Sequence, residues 1–113
     1  MTQANVIVLS IREEQAEEFE RLFEAEELPI WRDYAEAGKF LTARLARVEF
    51  GSEKKEGVRH YTLFVEVPGM AEHSEHDDDP RFGAFLQRAR QLQPDSPLVF
   101  GGDTIFAVEA NPR

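Results

Sequence analysis

Histidine is the side chain best suited to proton transfer near neutral pH, and this chain has three. His73 and His76 stand three apart, a spacing that puts both imidazoles on one face if the segment is helical. Asp77, Asp78 and Asp79 follow directly, so nitrogen and oxygen donors for a divalent metal occur together. The same segment also reads as a polar, solvent-facing loop that ends in a helix cap. Two histidines without a fixed third ligand do not define a metal site, and none is assigned. His60 lies inside an alternating, strand-like run. A half-buried imidazole there can act as a general base or make purely structural hydrogen bonds. His60, His73 and His76 are therefore the acid–base candidates.

Trp31 and Tyr34 follow Pro29 at helical spacing. Rings with a polar tip suit the wall of a small-molecule cleft, and they serve equally well in a core. Arg44, Arg47 and Arg59 interrupt strand-like runs; surface pairing with glutamates explains them, and one arginine capturing a carboxylate ligand is the alternative. The chain has no Gly-x-Ser-x-Gly elbow, phosphate loop or dinucleotide fingerprint. No cofactor is expected.

Composition bounds the rest. With 113 residues, 42% hydrophobic and 31% charged, residues 1–113 read as one globular domain. A net charge of −9 repels a phosphate backbone, so nucleic acid is not an expected partner. The absence of cysteine excludes disulfides, thiolate zinc sites and a cysteine nucleophile. No apolar run is long enough to cross a bilayer, so the expectation is a soluble, cytoplasmic protein without a membrane partner.

These residues must be held by elements, which the hydrophobic pattern supplies. Asn5 to Ile11 reads as a strand apolar on both faces, with Val6 and Val8 opposite Ile7, Leu9 and Ile11. Arg12 to Glu27 then switches to helical spacing through Ala16, Phe19, Leu22 and Phe23, with its glutamates on a solvated face. Pro29 suits the start of a second short helix, and Gly38 its left-handed stop. Phe40 to Phe50 and Val58 to Val67 read as strands joined by the polar Gly51–Gly57 connection. Met70 to Asp79 is too polar to assign beyond a short helical turn. Asp79-Pro80 opens a helix carrying Phe82, Phe85, Leu86, Ala89 and Leu92. A last strand is expected over Thr104 to Glu109, after a Gly101-Gly102 turn.

The order β-α-β-β-α-β implies an α+β, ferredoxin-like domain: a four-stranded antiparallel sheet with both helices on one face. The second apolar face then needs a cover. Each large side chain left in water forfeits about 1.5–3 kcal/mol, so a second copy of the chain is the expected partner.

With that element order, the two-faced strands and the segment Ala71-Glu-His73-Ser-Glu-His76 leading into Pro80-Arg-Phe82, the chain resembles the dimeric α/β-barrel superfamily. The resemblance runs along almost the whole chain in pattern, without a diagnostic motif. It implies pairing into a dimeric α/β barrel and a cleft between helices and sheet, which Trp31 and Tyr34 would line. Relatives include cofactor-independent quinone-forming monooxygenases, isomerases, haem enzymes and stress-responsive modules, so the resemblance leaves several activities open. It implies a monooxygenase- or isomerase-like enzyme acting on a small aromatic or carboxylate ligand. The alternatives are a non-catalytic binding module and a divalent-metal protein using His73 and His76. A deep cleft enclosing a histidine favours the enzyme; one filled by Trp31, Tyr34 and phenylalanines favours the module.

Overall fold

The computed structural model describes residues 1–53 and 55–110. At its centre β1 (Gln3–Arg12) pairs along its whole length with β3 (Val58–Val67) and, on its other edge, with β4 (Leu98–Asp103). The strand β2 (Thr42–Arg47) pairs with the free edge of β3. All pairings are antiparallel, in the order β2-β3-β1-β4, which is the expected ferredoxin-like α+β arrangement.

Register sorts the side chains as the alternation requires. Ile7 stands opposite Leu63, Leu9 opposite Tyr61 and Asn5 opposite Val65, and this set faces the helices. Leu9, Ile11, Tyr61, Val65 and Val67 are buried there with Phe19, Phe23 and Phe85. On the other face Val6 stands between Phe64 and Phe100, and Val8 between Thr62 and Leu98. Within one chain that face stays open: Leu98 and Phe100 are exposed, and Val6 partly so.

The first two helices form one continuous rod. Helix α1 (Ala16–Leu22) runs through a wide π turn, Phe23–Glu27, into α2 (Leu28–Glu36). The Leu28 N–H reaches back five residues to the Phe23 carbonyl. Pro29 has no N–H to continue the regular ladder, and its ring crowds the preceding turn; the wide turn absorbs both defects without a break. Gly38, at φ +73°, stops the rod in the expected left-handed conformation.

Helix α3 (Met70–Asp77) is a full element, in a segment whose polarity hides it from pattern reading. Helix α4 (Pro80–Leu92) starts as expected: the Asp79 carboxylate accepts the Arg81 backbone N–H at 2.9 Å, and Phe85, Ala89 and Leu92 are buried. Strand β2 is shorter than Phe40 to Phe50. Phe40 packs against Tyr34 at 5.1 Å, and Phe50 is exposed. Lys54, inside the Gly51–Gly57 connection, and residues 111–113 lie outside the described set.

The last strand differs from expectation. It is Leu98–Asp103, and Gly101-Gly102 lies inside it rather than forming a turn. Gly101 faces Asn5 across the ladder, where a Cβ would come within 2.7 Å of the Asn5 Oδ1. The glycine leaves room for that amide, whose Nδ2 donates to the Val65 carbonyl at 3.3 Å. Thr104 to Ala110 has no regular structure, and Ile105, Phe106 and Val108 are exposed.

Candidate functional site

Between the helices and the inner sheet face lies a cavity of about 400 Å³, walled chiefly by apolar groups such as Phe23, Trp31, Phe82, Phe85, Leu63 and Val65. Its polar residues are few: Glu27, His73, His76, Asp77, Asn5 and Gln93, with Arg90.

Glu27 is the informative one. It is 3% exposed, the one charged residue in the buried set, and it sits at the end of the π turn. Its Oε1 lies 3.3 Å from Nε2 of His76. Burial pushes the Glu27 carboxyl above its ordinary value of 4.5, against the pull of His76 and, less strongly, Trp31. For His76, burial acts downward, but the Glu27 hydrogen bond and charge, helped by Asp77, outweigh it and leave the imidazole above 6.5. The pair therefore binds a proton more readily than a free imidazole and carboxylate would.

Helix α3 delivers the other groups. His73 and Asp77 stand one turn apart, with 2.9 Å between Nε2 and Oδ2. The other Asp77 oxygen lies 3.4 Å from Nδ1 of His76. The His73 Nδ1 meets the Gln3 Oε1, from the start of β1, at 2.5 Å. The His76 ring packs at 4.3 Å on Phe82, 5.2 Å on Phe40 and edge-on at 5.6 Å to Tyr34, which fixes its orientation.

Of the residues singled out from sequence, His73, His76 and Trp31 border the cavity together. Trp31 is buried against Phe23, edge to face at 5.0 Å. Tyr34 does not border the cavity. Its hydroxyl lies 3.1 Å from an Asp79 oxygen and 3.2 Å from the Glu75 carbonyl, clamping α2 to the α3–α4 junction. Burial, then Asp79, pushes its phenol up to about 12. His60 points to the opposite face. Its Nε2 accepts the Lys55 N–H at 3.3 Å, so Nδ1 carries the proton given to the Ser10 hydroxyl at 2.9 Å. Both nitrogens have structural partners, away from the cavity.

Arg47 and Tyr61 both bind the Glu20 carboxylate, at 2.6 Å from the Arg47 Nη2 and 2.6 Å from the phenol, so Arg47 is a brace for α1. Arg59 lies 3.9 Å from Glu13. Among the described residues no three His, Asp or Glu side chains are arranged to hold a metal ion.

No protein-family model matches the sequence, and no curated protein sequence matches it significantly. Solved structures do. A putative antibiotic biosynthesis monooxygenase from Caulobacter crescentus superposes with a TM-score of 0.74 at 20% identity, covering 93% of this chain and 91% of that one. HapK from Hahella chejuensis gives 0.73 at 12% identity, over 99% and 100% of the two chains. SnoaB from Streptomyces nogalater, a cofactor-independent oxygenase, gives 0.70 at 15%, over 96% and 98%. The chain shares their fold. At these identities, the common ferredoxin-like fold is what the likeness establishes.

Two members of the site escape pattern reading. Glu27 is hidden among the surface glutamates of its helix, although it continues the apolar stripe four residues after Phe23 and four before Trp31. Gln93, bordering the cavity just beyond α4, has a buried Oε1 with no partner among the described residues. No motif marks it.

Proposed function

We propose that the chain is a homodimeric, cofactor-independent monooxygenase- or isomerase-like enzyme acting on a flat, largely apolar hydroxyaromatic compound. The observation that carries the reading is the Glu27–His76 pair, 3.3 Å apart, on the wall of an apolar cavity. The pair removes a proton from a phenol or an activated methylene and holds it as imidazolium against carboxylate. Low polarity around the pair strengthens that attraction, and the aromatic walls stack on the electron-rich anion.

With dioxygen as co-substrate, the anion itself is the reductant. A methylene between two aryl groups loses both hydrogens and gains one oxygen atom, and the other oxygen leaves as water. Without dioxygen, returning the proton elsewhere gives an isomerisation. SnoaB, of the same fold, is a cofactor-independent oxygenase, which favours the first outcome.

Pairing of two copies is part of the reading. Val6, Val8, Phe64, Leu98 and Phe100 share the uncovered sheet face, and Ile105, Phe106 and Val108 are exposed in the segment that follows β4. Burying them against a copy supplies about 1.5–3 kcal/mol for each large side chain, enough to overcome repulsion between two acidic chains.

Trp31 reports on the cavity and His76 on the chemistry. We expect hydroxyaromatic compounds to quench the fluorescence of Trp31, the single tryptophan, and some of them to be consumed with dioxygen uptake. His76→Ala should retain quenching and lose about 10²–10⁴-fold in turnover. Quenching absent for every such compound, or turnover equal in the variant, would reject the proposal.

A further inference from the structure

Helix α4 forms one wall of the cavity and changes character along it. Phe82, Phe85, Leu86, Ala89, Arg90 and Gln93 all border the cavity from this side. Phe82, Leu86 and Arg90 stand four apart, so they form one row on the helix surface. At the start of that row the Phe82 ring lies 4.3 Å from the His76 ring, and in the last turn stands a guanidinium. The helix rises about 12 Å between the two positions. Helical side chains lean toward the N-terminus, so the Arg90 head comes back toward Leu86, on the order of 10 Å from His76.

Among the described residues Arg90 is the one arginine or lysine that borders the cavity, and it is exposed, which sets its head at the rim. It also differs from most cations of this acidic chain. Arg47, Arg59, Arg81, Arg88, Lys39 and Lys55 each meet a carboxylate, whereas Arg90 has no such partner among the described residues. Closing the end of α4 does not occupy it either. The Gln91 carbonyl accepts from the Arg12 Nη1 at 3.3 Å, and the Gln93 N–H reaches the Arg90 carbonyl at 3.2 Å.

We propose that Arg90 sets the charge of the ligand: the cavity takes a hydroxyaromatic carboxylate, its carboxylate on Arg90 and its hydroxyl toward the Glu27–His76 pair. The inference rests on the small-molecule reading of the cavity and adds the ligand's second functional group and its direction of entry. A planar guanidinium holds a carboxylate through two parallel N–H···O bonds, which fixes orientation as well as position. The histidines do not compete for that group, because His76 already faces Glu27 and Asp77, and His73 faces Asp77. Entry the other way round would bring the ligand's charge against those carboxylates, and like charges brought together oppose it. Between the two ends the wall is apolar, with Phe85, Leu86, Leu63 and Val65 to cover the rings. The chain's net charge of −9 repels anions at long range, but physiological salt screens it within about 8 Å and leaves the direct contact to decide.

Isothermal titration calorimetry with a matched pair of probes tests the assignment. One probe is the hydroxynaphthoic acid whose hydroxyl and carboxyl stand at opposite ends of its fused rings; the other is its neutral carboxamide. The unmodified chain should bind the acid about tenfold more tightly than the carboxamide, as expected for a charge-assisted hydrogen bond near the surface. Arg90→Gln should erase that preference and leave the carboxamide affinity unchanged, while Arg90→Lys keeps part of it. Equal affinities for the two probes in the unmodified chain, or the same preference in Arg90→Gln, overturns the assignment and leaves the cavity reading standing. Carboxamide binding that weakens in Arg90→Gln as much as acid binding also overturns it, because the side chain would then support the wall and read no charge. Failure of the cavity reading would look different: neither probe binds the unmodified chain, and the assignment to Arg90 falls with it.

Discussion

At the scale of single residues, the character of the cavity wall comes from one carboxylate held out of water. Glu27 is ionisable and 3% exposed, and only His76, with lesser help from Trp31, compensates it. The consequence for stability has a definite sign. Both partners are raised above their ordinary values, His76 above 6.5 and Glu27 above 4.5, so the fold binds their protons more tightly than the unfolded chain does. For His76 that stabilisation is complete below 6.5 and is lost as the pH rises through the higher value in the fold. We expect the melting temperature to fall as the pH is raised from about 6.5 toward alkaline values, with a shallower slope in His76→Gln. Equal slopes in the two proteins would show that the imidazole is not stabilised by its neighbours. Asp79 acts with the opposite sign: Arg81 holds it at about 2, so its stabilisation is present above 3.8 and lost as the pH falls toward 2. His73, His76 and Trp31 were legible because histidine and tryptophan are informative as types. Glu27 was not, because Pro29 ends a helix by the usual rule, and a stripe that stops at Phe23 leaves Glu27 outside it.

At the scale of elements, the site depends on two departures from regular geometry. The π turn keeps α1 and α2 in one rod across Pro29, aligning Phe23, Glu27 and Trp31 on the cavity. Gly101 lets β4 lie beside Asn5, and a glycine pair that reads as a turn is instead a space-maker inside a strand. Alanine at a strand glycine ordinarily stabilises by about 0.5–1 kcal/mol. Here Gly101→Ala should destabilise by about 1 kcal/mol, because its Cβ displaces Asn5 from the Val65 carbonyl. In an Asn5→Ala background the same change should become neutral or stabilising. Destabilisation of equal size in both backgrounds, measured by denaturant unfolding, would contradict the assigned contact. The remaining strands and α4 follow from alternation and the Asp79 cap. Helix α3 does not, since its apolar content is too low to show a period, and its place is set by what it touches: Gln3, Glu27 and Tyr34.

At the scale of the molecule, the fold was legible and the chemistry less so. Four strands whose apolar residues fall on two faces, with helices enough for one, dictate a single-layer covering and an open sheet face, and both are present. Electrostatics works against association, since each chain carries −9, so apolar burial must drive it. The cavity lies on the opposite, helix-covered side of the sheet, so each copy should hold its own ligand. The proposed molecule is a pair of chains with one small-molecule site in each. Native mass spectrometry with a hydroxyaromatic compound that quenches Trp31 decides between this and a lone, empty chain: we expect an assembly of two chains carrying two ligand molecules, and a single chain that remains unliganded at saturating compound would contradict it.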